Sequence, residues 1–122
     1  MKACRAFATL MLVLVPAVAA HAAEIFSLGL PATVTQFLEC RIINVSGFPQ
    51  TVTSQGFDST GAPATVAVTQ TLAPGEAGGF SVSGTAAGVY CKFTVEGSTN
   101  DFRASIDVLD SSGSIVVALP AR

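Results

Sequence analysis

The chain has 122 residues and a formal net charge of −2, which bound it to one small domain of nearly neutral charge. Charged residues make up only 11% of it, less than half of the roughly 25% found in an average soluble protein. The few basic residues are spread along the sequence and form no basic patch, so no nucleic-acid partner is expected.

Residues 1–22 have the pattern of a secretory signal peptide. Lys2 and Arg5 make its start positive, an apolar run follows, and Ala20-His21-Ala22 is a small-x-small cleavage site. The apolar run of about 15 residues is shorter than the roughly 20 that a membrane-spanning helix needs. Cleavage at this site predicts a single domain over residues 23–122, without a membrane span, in the periplasm or outside the cell.

Loss of the leader changes the chemistry that the mature chain offers. His21 leaves with it, as do Lys2 and Arg5, and since the leader holds no acidic residue the formal charge goes from −2 to −4. Without histidine, and with the remaining cysteines paired, a catalytic serine or cysteine has no base and a zinc or copper site has no ligands. We therefore expect no enzyme activity and no cofactor.

The mature sequence runs through short apolar segments separated by turn residues, which is typical of β-strands. A lead-in over residues 23–31 contains one short apolar run that is stopped by Gly29 and Pro31 and suits an edge strand. Within residues 33–44, apolar residues on either side of Cys40 alternate with charged ones. This alternation predicts a strand that points Cys40 into a core.

The strictest alternation lies between Val89 and Glu96. Its odd positions are apolar and include Cys91, whereas its even positions, beginning with Tyr90, are polar or amphipathic. This pattern predicts a strand with one buried and one solvent-facing side, with Cys91 on the buried side. The remaining predicted strands cover residues 50–57, 64–69, 80–83, 101–110 and 115–119.

Cys40 and Cys91 are predicted to form one internal disulfide, because each lies on an apolar strand face and a secreted chain folds in an oxidising compartment. Two unlinked buried thiols are the alternative. A bridge that closes a loop of about 50 residues stabilises a small domain by roughly 4 kcal/mol in the chain-entropy model. Seven to eight short strands without helical periodicity predict an all-β fold, either a sandwich or a barrel.

The sequence also contains a weak internal repeat. Cys40-Arg41-Ile42 corresponds to Cys91-Lys92-Phe93, and the Asp-Ser-Thr-Gly turn at Asp58 corresponds to the Asp-Ser-Ser-Gly turn at Asp110. Either the chain consists of two related halves, or one hairpin solution was used twice. Two short matches favour the second interpretation.

These residues resemble those of bacterial secreted immunoglobulin-like modules. The matching stretches are 44–52, 72–76 and the cysteine pair, and the likeness covers roughly residues 35–119. The resemblance implies an immunoglobulin-like sandwich of seven to eight short antiparallel strands, and a role in binding, spacing or assembly without a catalytic residue. Immunoglobulin domains place a tyrosine two residues before the second cysteine, whereas here Tyr90 directly precedes Cys91 and should point to the opposite face.

Two side chains are candidates for contact with a partner. Phe48 lies beside Pro49 in a turn, where an aromatic ring either anchors an interface or packs against the domain edge. Tyr90, on the solvent-facing side of its strand, is either a binding platform or one member of a cross-strand pair. Asp58 and Asp110 offer loop carboxylates of the kind that calcium prefers, although turn formation alone also explains Asp and Gly at these positions.

The sequence therefore predicts a small secreted or periplasmic binding or structural module, monomeric, with a protein as its partner. One alternative is a subunit of an extracellular fibre or coat, which assembles when the lead-in or an open sheet edge pairs with a neighbour by strand addition. Another is a secreted inhibitor that inserts a loop into a hydrolase.

Overall fold

The computed structural model describes residues 22–83 and 88–122, so that nearly all of the predicted leader lies outside the described residues. The described chain forms eight β-strands and one short 3₁₀ helix at Thr99–Asp101. The strands are β1 (Ala22–Phe26), β2 (Phe37–Asn44), β3 (Gln50–Asp58), β4 (Val68–Leu72), β5 (Ala77–Ser83), β6 (Val89–Glu96), β7 (Phe102–Leu109) and β8 (Ile115–Ala121). Within these ranges, the structure contains no helix with the length and apolarity to span a bilayer.

The strands form two four-stranded sheets in which every pairing is antiparallel. Sheet one has the order β1-β6-β3-β4, and sheet two has the order β5-β2-β7-β8. Their inward faces share one apolar core, whose fully buried members come mainly from β2, β3, β6 and β7. The predicted all-β sandwich is confirmed.

The predicted disulfide is also confirmed, and it joins the two sheets. Cys40 lies in β2 and Cys91 in β6, which are inner strands of different sheets. Their Cα atoms are 5.8 Å apart, and both residues are completely buried. The bridge therefore links two strands that each pair with neighbours on both sides.

The boundaries of β6 match the predicted residues 89–96, but β4 lies later in the chain than the alternation in residues 64–69 predicts. The Thr65 hydroxyl oxygen accepts the Gly56 N–H at 2.9 Å, and the Ala64 N–H donates to the Gly56 carbonyl at 2.8 Å. These bonds hold Ala64 and Thr65 against β3 outside the regular pairing. Regular strand pairing therefore begins only at Val68, opposite Ser54.

The close packing of β5 on β2 depends on Gly79. Its φ is +141°, and a Cβ at this position would lie 1.8 Å from the backbone carbonyl oxygen of Cys40. Only glycine fits here without movement of the backbone beside the disulfide. This requirement explains why β5 runs through Gly78-Gly79, although the predicted strand begins only at Phe80.

Candidate functional site

The turn that carries Phe48 is held by the buried amide of Asn44. Its Nδ2 donates to the carbonyl oxygens of Phe48 at 2.7 Å and Leu72 at 2.9 Å, and its Oδ1 accepts the Ser46 N–H at 2.9 Å. A fully buried amide with its hydrogen bonds satisfied fixes the shape of the turn. Phe48 itself remains 73% exposed, so the ring projects into solvent from a hydrogen-bonded turn.

Tyr90 lies on the outer face of sheet one, as its position in the alternation predicts. Its ring stacks on Phe57 of β3, with centroids 5.5 Å apart, and lies 6.4 Å from the ring of Phe26 in β1. Tyr90 and Phe57 are directly opposite each other in the strand register, so they form a cross-strand pair. Together the three rings make an aromatic row across β3, β6 and β1.

An ion pair borders the Phe26 end of the aromatic row. The Lys92 Nζ lies 2.6 Å from Glu24 Oε1 and 5.8 Å from the centroid of the Phe26 ring. Both side chains are partly exposed, at 29% and 43%, so the pair adds little stability. The ion pair marks the polar boundary of an otherwise apolar surface.

The structure does not bring the two predicted contact residues together. Phe48 lies just before the start of β3, whereas Tyr90 lies opposite Phe57, close to the end of the same strand. The seven steps from Gln50 to Phe57 span about 23 Å of extended strand. Phe48 and Tyr90 therefore belong to separate surfaces at opposite ends of sheet one.

An apolar cleft that the sequence did not reveal lies where the edge strands of the two sheets meet. We call it the seam: Phe26, Ser27 and Leu28 line the β1 side, and Leu119, Pro120 and Arg122 line the β8 side, around a cleft of about 440 Å³. The N–H of Phe26 donates to the Arg122 carbonyl at 2.8 Å, and the N–H of Arg122 donates to the Phe26 carbonyl at 2.9 Å. Phe26 belongs to both surfaces, so the seam adjoins the aromatic row.

β8 is an edge strand, and its side chains are unusually apolar and exposed. Ile115 is 57% exposed, Val116 53% and Val117 40%, and the strand contains no charged residue. On the outer face of sheet two, Ile115 lies opposite Leu109, which in turn lies opposite Phe37, itself 45% exposed. An apolar surface therefore continues from the edge of β8 onto the sheet.

The backbone of β8 also has free hydrogen-bonding groups on its open side. Arg122 directs both its N–H and its carbonyl to Phe26, away from β7. Because successive residues of a strand point these groups to alternate sides, those of Pro120 and Ala118 face the same open side. Apart from this Phe26–Arg122 pair just beyond its end, β8 has no strand partner on this side among the described residues. Since Pro120 has no N–H, Ala118 supplies the central donor and acceptor of the open edge.

The carboxylates of Asp58 and Asp110 organise their own turns. Asp58 Oδ1 accepts hydrogen bonds from the Thr60 hydroxyl and from two backbone N–H groups, and these bonds hold the pKa of Asp58 below its ordinary value. Asp110 has the equivalent bonds, first from the Ser112 hydroxyl, and its pKa is lowered for the same reason. Within residues 22–83 and 88–122, no cluster of three or more acidic, histidine or cysteine side chains is arranged to hold a metal.

No protein-family model, curated protein or solved structure matches the chain significantly. The resemblance to bacterial secreted immunoglobulin-like modules therefore stays a prediction.

Proposed function

We propose that this domain is a secreted or periplasmic protein-binding module that takes an extended segment of its partner as an added strand along β8. The observation that carries this proposal is the open edge of β8, which combines exposed Ile115, Val116 and Val117 with free backbone groups at Ala118. Strand addition uses both features, since main-chain hydrogen bonds provide affinity and side-chain contacts provide specificity.

β8 lacks one of the usual protections of an edge strand, a charged side chain. Proteins usually shield edge strands with charged side chains, proline or bulges. β8 has Pro120 near its end and a bulge opposite Val108 and Leu109, but no charge over its whole length. A partner segment that matches it would be extended, uncharged and apolar on the side that contacts the seam.

The other sheet edges are less suited to this role. β4 and β5 are consecutive strands joined by a short turn, and Gln70 Oε1 of β4 accepts the Gly79 N–H of β5 at 3.0 Å, which ties that side of the sandwich together. β4 also exposes the polar side chains of Thr69 and Thr71. β1 has a charged residue, Glu24, at its centre. The edge of β8 is therefore the most favourable for an apolar partner strand.

A pair of substitutions at one position tests the proposal. Ala118→Pro removes the central open-edge N–H without removing a hydrogen bond to β7, and Pro120 shows that β8 accommodates proline two residues further on. Ala118→Val is the matched control, because it keeps the N–H and favours the strand. Wild type and both variants are used as baits on the native secretome.

A partner retained by wild type and Ala118→Val, but lost with Ala118→Pro, is the expected result. Equal recovery with all three baits would refute strand addition at β8. Phe48→Ala is included as a fourth bait, since loss of the partner with this variant alone would move the contact to the Phe48 turn. If the added strand instead came from another copy of the chain, size-exclusion chromatography of the purified protein would show a ladder of oligomers in place of the expected monomer.

A further inference from the structure

The two sheets have the same internal plan. We divide the strands into a first half, β1 to β4, and a second half, β5 to β8. The counterparts are β1 and β5, β2 and β6, β3 and β7, and β4 and β8. Exchanging each strand for its counterpart converts the order of sheet one, β1-β6-β3-β4, into β5-β2-β7-β8, which is the observed order of sheet two. The strand arrangement is therefore related to itself by a two-fold exchange of halves.

Local features follow the same relation. Cys40 and Cys91 lie in the counterpart strands β2 and β6, so the disulfide joins corresponding strands of the two halves. Asp58 is the last residue of β3, and Asp110 directly follows its counterpart strand β7. In both turns the aspartate Oδ1 accepts the N–H and the hydroxyl of the residue two places on and the N–H of the residue four places on. The fold therefore favours the interpretation that the chain consists of two related halves over the interpretation that the same hairpin type merely occurs twice.

The halves are interlocked rather than side by side. β6 of the second half lies between β1 and β3 of the first, and β2 of the first half lies between β5 and β7 of the second. Only β3–β4 and β7–β8 pair within one half, whereas four strand pairings and the disulfide join the halves. In the backbone, the halves are connected only by the short turn from Ala73 to Glu76.

We propose that a second copy of this chain is a partner for half exchange: two chains open at the Ala73–Glu76 turn and form a dimer with Cys40 of each bonded to Cys91 of the other. Every strand pairing and both disulfides are preserved in this dimer, because each half meets the same complementary half from the other chain. This proposal is independent of strand addition at β8.

The turn itself sets the balance between monomer and dimer. Its closed form is held by the Glu76 N–H donating to Ala73 O at 2.9 Å, the Ala73 N–H donating to Glu76 Oε2 at 2.8 Å, and the Gly75 N–H donating to Asn44 O at 2.7 Å. Opening loses these bonds, so dilute chains close on themselves. Mass action then raises the dimer-to-monomer ratio by about tenfold for each tenfold rise in free monomer during refolding.

Isotope mixing tests the exchange directly. Equal amounts of isotopically heavy and light chains are reduced, unfolded and refolded together over a range of concentrations with oxidised glutathione, of which one molecule is reduced for each bridge formed. Trypsin cleaves after Arg41 and Lys92, and mass spectrometry identifies the linked peptides that contain Cys40 and Cys91. In the dimer fraction we expect disulfides that join a heavy peptide to a light one. In the monomer fraction each disulfide should join two heavy or two light peptides.

Two changes to the turn sharpen the test. Deletion of Pro74 and Gly75 prevents the tight turn and should make the half-exchanged dimer dominant. Insertion of four Gly and Ser residues after Gly75 of the wild-type chain should instead favour the monomer. A dimer with only unmixed disulfides would overturn the proposal and indicate association through strand edges. Wild-type chains that remain monomeric at every refolding concentration would overturn it as well, whether or not the shortened variant folds.

Discussion

Removal of the disulfide is the perturbation whose size follows most directly from the structure. The bridge joins residues 51 positions apart, and the chain-entropy model gives about 4 kcal/mol for a closed loop of this length. Small domains unfold with a free energy of only about 5–15 kcal/mol. The double variant Cys40→Ala/Cys91→Ala should therefore lose a large part of its stability and unfold at a clearly lower denaturant concentration.

Far-UV circular dichroism during urea titration is the appropriate assay, because the chain contains no tryptophan and a single tyrosine. Reduced wild type is the matched control, since it lacks the bridge but keeps both sulfur atoms in the core. Its free energy of unfolding should fall nearly as much as that of the double alanine variant. The remaining difference between the two measures the packing contribution of the sulfur atoms. A loss below about 1 kcal/mol in reduced wild type would refute the argument that the bridge stabilises the fold by constraining the unfolded chain.

Three further sets of substitutions test individual contacts. Gly79→Ala places a Cβ 1.8 Å from a backbone oxygen and should prevent native folding or cost several kcal/mol, whereas Gly47→Ala, with open space around it, should change stability little in the same urea titration. Ser54→Ala should raise the free energy of unfolding by about 1 kcal/mol, since its buried hydroxyl has no hydrogen-bond partner; a loss would show that the hydroxyl is satisfied. Because folding lowers the pKa values of Asp58 and Asp110, their carboxylates stabilise the fold at pH values above the ordinary aspartate pKa. This contribution is lost as the pH falls through the pKa values of the folded state. Replacing both with Ala should therefore reduce stability near neutral pH, and the difference from wild type should shrink below about pH 4; a difference independent of pH would contradict it.

Local alternation made several elements predictable from the sequence. The strand from Val89 to Glu96 was predicted with its observed bounds, because its apolar positions alternate without interruption and glycines flank it. The same alternation predicted that Tyr90 faces outward and that both Cys40 and Cys91 face the core. These properties depend on side chains within a single strand.

Pairing between distant strands determines the rest. The start of β4 depends on bonds between Thr65 and Gly56, which no pattern within residues 64–69 encodes. The apolar segment from Ile115 to Leu119 was predicted as a strand, but an uninterrupted apolar run equally suits a buried central strand. Only the strand order shows that this segment lies at an edge and that Phe26 meets Arg122 across the seam.

Amide hydrogen exchange of β8 tests the central functional claim most directly. The partner recovered with the wild-type bait is purified, and exchange is compared in the free domain and in the complex. Added strand pairing predicts strong slowing at the Ala118 amide, which faces the open edge, with little change at the β4 edge. Exchange at Ala118 that stays the same in the complex would contradict strand addition at β8.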